Sequence, residues 1–167
     1  MNLMDKTGEI IKEARRLEED ILYSSKARFT MSNFWYYLHA IFGIVVIGGS
    51  ILFGALSFAN LNWPMDINIL SLIVIVISML QVFFNPFEQS RTNKNIGDEY
   101  NKLKQEIRFF YKVEIYDNDF NENKNKIKEF AEEKSKIDYK SSPILGWFYN
   151  RAKKSIEKEE HKHEVDY

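Results

Sequence analysis

The chain has 167 residues, 23 Lys and Arg against 24 Asp and Glu, a formal net charge of −1, and no cysteine. That length allows one domain with a real core. The near-neutral charge argues against nucleic acid as a main partner, and the missing cysteine excludes disulfides and thiolate metal sites. The average hides a division: no Lys or Arg stands between Arg28 and Arg91, and the only acids in that interval are Asp66 and Glu88. The sequence therefore reads polar, then apolar, then polar.

Residues 1–33 form a charged lead. Over 9–28, Ile10, Ala14, Leu17, Ile21 and Ser24 recur at spacings of four and three, with charges between them, which predicts an amphipathic helix. Only Ser32 and Asn33 separate it from the next segment, so one helix can run through both. Residues 34–58, "FWYYLHAIFGIVVIGGSILFGALSF", carry no formal charge apart from the titratable His39. As a helix this run covers about 37 Å, more than one bilayer core, and its glycines suit a membrane helix better than a soluble one. It starts too late, and follows too long a charged helix, to be a cleaved signal peptide.

Residues 59–66, "ANLNWPMD", hold the turn formers Asn60, Asn62, Pro64 and Asp66 and are too short for a domain. The next run, 67–85, opens with "INILSLIVIVISMLQVFF", eighteen residues without a charge. Its β-branched residues permit a strand, but buried strands run about 4–8 residues, whereas as a helix it spans roughly 27 Å, close to the ~30 Å hydrocarbon thickness. A soluble core helix remains open for this run alone; two such runs in one small chain point to an all-α membrane protein built on a two-transmembrane hairpin. The loop has no basic residue, while Lys26, Arg28, Arg91 and Lys94 flank the hairpin, so both termini are expected in the cytoplasm. Phe34, Trp35, Tyr36 and Tyr37 are expected at the inner interface and Trp63 at the outer one.

Asn85 and Pro86 mark the end of the second span. In the region 86–158, Ile96, Tyr100, Leu103, Ile107 and Phe110 repeat the four-and-three spacing. Each such stripe wants a partner helix. Because the stripes flank a hairpin, an antiparallel pair within one chain is expected, in preference to two helices lying on other subunits. Asp117, Asp119 and Asn121 imitate the first ligands of a calcium loop, but Glu122 replaces the required Gly and Lys128 the required Glu; Asp119 with Glu122 reads better as a capping box. A last helix is expected from Ser142 as cap and Pro143 in the first turn. Trp147 and Phe148 beside Arg151, Lys153 and Lys154 suit either an anionic leaflet or packing on the other helices. The tail 159–167 is polar, and His161 and His163 lack the further ligands of a metal site.

No phosphate loop, activated nucleophile or metal cluster is present, so neither an enzyme nor a cofactor is expected. What remains is polarity within the spans. Ser71, Ser78, Gln81 and Asn85 share one face of the second span. His39, Gly43, Ser50, Gly54 and Ser57 form a stripe on the first, and Ser50-xxx-Gly54 permits close helix approach. Either both stripes hold the hairpin together, or a homo-oligomeric ring of hairpins lines a pore with Ser71, Ser78, Gln81 and Asn85 while Gly43, Ser50, Gly54 and Ser57 pack neighbours. His39 is a possible pH-sensitive group, with a neutral, hydrogen-bonded role as its alternative.

The succession "YSSKARFTMSNFWYYLH", Gly-rich span, short loop, "QVFFNPFEQS", "IGDEYNKLKQEIRFF" and "SSPIL" resembles the SLATT family of bacterial two-transmembrane effectors, over about residues 10–155. The resemblance lies in layout, since that family has no catalytic signature. It implies a pore-forming effector in the bacterial inner membrane, active in antiphage defence by abortive infection. Its implied partners are a second-messenger synthase, a nucleotide sensor or a reverse transcriptase. A non-conducting anchor that recruits a cytoplasmic partner is the alternative.

Overall fold

Helix α1, Leu3–Ala59, runs 57 residues without interruption, so the polar lead and the first apolar run are one helix, about 85 Å long at 1.5 Å per residue. The computed structural model describes residues 3–59 and 67–163, with side chains over 7–58 and 69–158. The expectations for the 60–66 turn, for Trp63 and for the side chains of His161 and His163 lie outside the described residues. Four further helices follow: α2 (Ile67–Phe84), α3 (Pro86–Lys112), α4 (Phe120–Lys140) and α5 (Gly146–His163), with a single 3₁₀ turn at Glu114–Tyr116. No strand occurs among the described residues, which closes the β reading of residues 67–84. The helices divide into two compact units, Met1–Met31 with Asn93–Tyr167, and Ser32–Thr92.

The first unit is organised by the two predicted stripes. Ile10, Ala14 and Ile21 on α1 and Ile96, Tyr100, Leu103, Ile107 and Phe110 on α3 are all buried in one cluster. Ser25, not Ser24, continues the α1 stripe inward. The pair is antiparallel: Glu18 meets Arg108 and Tyr111, whereas Arg28, further along α1, meets Asn93, further back on α3. An added Cβ on Gly97 would lie 3.0 Å from the Phe29 ring, so the two helices touch where one of them has no side chain. Helix α4 turns back along α3, with Phe110 edge-on to Phe130 at 5.6 Å and Tyr100 donating to Asp138. Each fully buried aliphatic, such as Ile21 or Ile107, contributes about 1.5–3 kcal/mol.

The turn into α4 is built as predicted. Asp119 Oδ1 accepts from the Glu122 amide at 2.8 Å, and Glu122 Oε2 accepts from the Asp119 amide at 3.1 Å. The Asp119 carboxylate is therefore occupied as a cap. Buried Asn123 donates to the Ile115 carbonyl at 3.0 Å, tying the 3₁₀ turn to α4. Helix α5 starts later than expected: Ser142 and Pro143 lie outside any helix, and Leu145 is the residue whose carbonyl accepts from Phe148 and Tyr149. The cause is tertiary, because the Ser142 carbonyl is taken by the Arg28 guanidinium. At its other end α5 continues to His163, past residue 158 where a polar tail was expected. The run "EKEEHKH" is mostly good helix formers, which suits this extension.

The second unit holds the apolar part of α1, α2 and the start of α3. Its helices run antiparallel, since Ser32 meets Ser90, His39 meets Gln81, and Gly49 meets Val74. Both helices are long and apolar enough to cross a membrane, and only 6 % of the most apolar stretch of each is buried. Ile44, Ile47 and Ile51 on α1 and Val82 and Phe83 on α2 are each more than 60 % exposed. A soluble core helix would bury most of such a run.

Candidate functional site

The seam between the two apolar helices is narrow. On α2, Ser71, Val74, Ile77, Ser78 and Gln81 are half-buried while their neighbours are exposed, so this face is the one covered by α1. On α1 the tightest point is Gly49, where an added Cβ would stand 2.6 Å from Val74 Cγ2. Any side chain there would displace the neighbouring helix or its valine.

The predicted α2 stripe does not stay together. Ser71, Ser78 and Gln81 share the seam face, but Asn85 lies just beyond the end of α2, exposed and with φ +41°. Asparagine tolerates this left-handed conformation better than most residues. It serves both helices: its amide donates to the Gln81 carbonyl at 3.1 Å, and its carbonyl accepts from the Gln89 amide at 3.1 Å. Its Oδ1 faces the Glu88 amide at 3.5 Å, and Pro86 takes the first position of α3, where a missing N–H costs nothing. Asn85 is thus a junction residue.

Three hydroxyls along the two helices bond within their own helix. Ser78 Oγ donates to the Val74 carbonyl at 2.7 Å, Ser50 to Val46 at 2.7 Å, and Ser57 to Phe53 at 2.8 Å. Such back-bonding lets a hydroxyl exist without water. Gln81 Nε2 lies 3.5 Å from His39 Nδ1. The His39 ring also rests against Phe87, with centroids 5.4 Å apart. His39 therefore sits between Gln81 and Phe87 within the second unit.

The predicted small-residue stripe on α1 lies to one side of this seam. Ser50 and Ser57 are exposed, and added Cβ atoms on Gly43 and Gly54 would meet nothing within 4 Å. The residue that permits close approach within the chain is Gly49, absent from the predicted stripe. The Gly48-Gly49 pair was its signal in the sequence, but choosing which glycine faces inward requires the helix rotation.

A second polar cluster, in the first unit, has only a faint sequence signature. Arg28, the last cation before the apolar run, is 2 % exposed. Nη1 donates to Asn93 Oδ1 at 3.1 Å and reaches Ser142 Oγ at 3.5 Å, and Nη2 donates to the Ser142 carbonyl. Nε has no partner. Burial pushes the guanidinium pKa down, opposed by Tyr100 and Asp138. Burial and the hydrogen bond to Asp138 push the Tyr100 phenol up to about 12. Nearer the far end, Glu18 accepts from Arg108 and Tyr111, both at 2.8 Å. Glu18 raises the Arg108 pKa, whereas burial, then Glu18, raises that of Tyr111. Among the described residues no group of three His, Asp or Glu is placed to hold a metal ion.

No family model matches the chain, and neither a curated protein nor a solved structure matches it.

Proposed function

We propose that this chain is an oligomeric two-transmembrane effector that permeabilises or depolarises the bacterial inner membrane, with both termini cytoplasmic. The observation that carries the membrane part is the exposure of α1 and α2. Large aliphatic and aromatic side chains surround a two-helix seam that buries little of them. In water that surface would drive aggregation; in lipid it is the ordinary surface of a span, with the Ser50, Ser57 and Ser78 hydroxyls bonded within their own helices. The positive-inside pattern supports the orientation. Assembly is supported by the open Gly43, Ser50, Gly54 and Ser57 stripe, where a second copy's helix can approach closely. Membrane permeabilisation, antiphage defence and a gating partner that makes or senses a nucleotide signal rest on the layout shared with the SLATT family.

A second reading, a non-conducting anchor for a cytoplasmic partner, is favoured by one observation: Ser71, Ser78 and Gln81 are turned onto α1 within the single chain. Dye-loaded vesicles separate the two. Under the pore reading the reconstituted protein releases dye, and Ser78→Leu with Gln81→Leu suppresses the release. An anchor releases none, even with its partner present. Extraction from vesicles by alkaline carbonate would overturn both.

A further inference from the structure

The chain leaves the first unit after Met31 and returns to it at Asn93. Arg28 and Asn93, bonded to each other, therefore mark the end of that unit nearest the apolar segment along the chain. Ser142 is fastened to the same Arg28, which brings the α4–α5 connector to this end. Within five positions of Ser142 along the chain are large, exposed side chains: Tyr139 at 94 % exposure, Leu145 at 65 % and Trp147 at 55 %. On α5, Trp147 opens a stripe of exposed residues at helical spacing, Arg151, Lys154 and Lys158, with the Arg151 guanidinium carbon 5.5 Å from the Trp147 ring centroid. The opposite face sends Phe148, Ala152 and Ile156 inward. Two nearby acids are already engaged: Asp138 with Tyr100 and Lys134, and Glu157 with Lys153.

We propose that the head of α5 is an interfacial foot that seats on an anionic lipid leaflet, with Leu145 and Trp147 at the headgroup boundary and Arg151 and Lys154 against phosphates. An indole with an apolar body and a polar N–H suits that boundary. Cations extending from it along one helix face match the negative potential of the leaflet. The foot explains why α5 is divided, with Phe148 buried and adjacent Trp147 55 % exposed. It rests on the membrane reading, because only then does lipid lie where the chain leaves the unit.

Single-tryptophan proteins test it in vesicles carrying brominated lipids. The Trp35-only protein (Trp63→Phe, Trp147→Phe) reports on the span, and the Trp147-only protein (Trp35→Phe, Trp63→Phe) reports on the foot. With phosphatidylglycerol present, Trp147 is quenched by bromines near the headgroups. Arg151→Gln and Lys154→Gln weaken this, each lost cation weighing about fivefold in the seated population. Trp35 quenched while Trp147 stays open to aqueous acrylamide overturns the foot and leaves the membrane reading standing. Equal quenching of Trp147 in phosphatidylcholine alone overturns the anionic assignment. Failure to quench either tryptophan overturns both readings.

Discussion

The first unit buries Ile21, Ile107 and Phe110 and shows charged side chains outward, whereas the second turns Ile44, Ile51 and Val82 outward and keeps Ser71, Ser78 and Gln81 half-covered. One continuous helix, α1, takes part in both arrangements. Helix propensity is therefore not what separates them; the outward residues are. In the first unit apolar burial supplies the stability, and buried polar groups such as Glu18, Arg28 and Asn123 cost free energy unless paired. In the second, a pair of helices buries too little apolar surface for that source to dominate, and close contact at Gly49 together with local hydroxyl bonds takes its place.

The contrast is tested most severely at its two cores. Phe110→Ala should destabilise the first unit by about 3–5 kcal/mol, as deletion of a buried aromatic does. The same truncation at exposed Phe83 should leave the fold within about 0.5 kcal/mol in detergent. Denaturant titration followed by circular dichroism reads both, and similar losses at the two sites would break the comparison.

Arg28→Ala comes next. It leaves Asn93 and the Ser142 carbonyl short of a donor, at about 1.5–3 kcal/mol for bonds to a charged group. Hydrogen exchange should rise first in residues 142–150. Ser142→Ala should cost far less, because the backbone carbonyl is the better-placed acceptor; equal effects would refute the assignment to the carbonyl.

The glycines sharpen the account of the seam. Gly49→Val should cost about 1–3 kcal/mol by overpacking against Val74 and loosen the hairpin, measured by cysteine cross-linking between positions 46 and 77. Gly54→Leu meets open space and should spare the hairpin while reducing oligomer size in detergent. If Gly54→Leu weakened the hairpin as much as Gly49→Val, the seam would be misplaced.

Alkaline pH should act on the first unit through Tyr100. The folded-state pKa of Tyr100, about 12, lies above the ordinary 10 of an unfolded tyrosine. The protonated phenol is thus favoured by folding: its contribution is fully present below pH 10 and is lost as pH rises from 10 to 12. Tyr100→Phe should flatten the stability profile in that window. The smallest effect is expected at Asp119→Ala, about 1 kcal/mol for a lost cap, visible as faster exchange in the first turn of α4.

Much of this was legible in the residues. The stripes at 10–21 and 96–110, the continuous α1, the Asp119–Glu122 box and the break at Asn85–Pro86 follow from spacing and local backbone chemistry, which act over a turn or two. The polar pattern within the two apolar helices was legible only in part. Ser71, Ser78 and Gln81 share a face by periodicity, yet Asn85 leaves it because proline at 86 begins a new helix. Gly43 and Gly54 look like packing residues, but Gly49 is the one that packs.

By itself the sequence determined where apolar and polar stretches meet along the chain and that the elements among the described residues would be helices, because period and charge distribution are local quantities. Only the tertiary structure decided which glycine touches α2, that Arg28 is buried, and that α5 begins after Leu145. Those outcomes depend on the rotation of one helix against another and on a guanidinium that reaches across 114 positions to the Ser142 carbonyl, a distance at which no pattern of neighbours carries information.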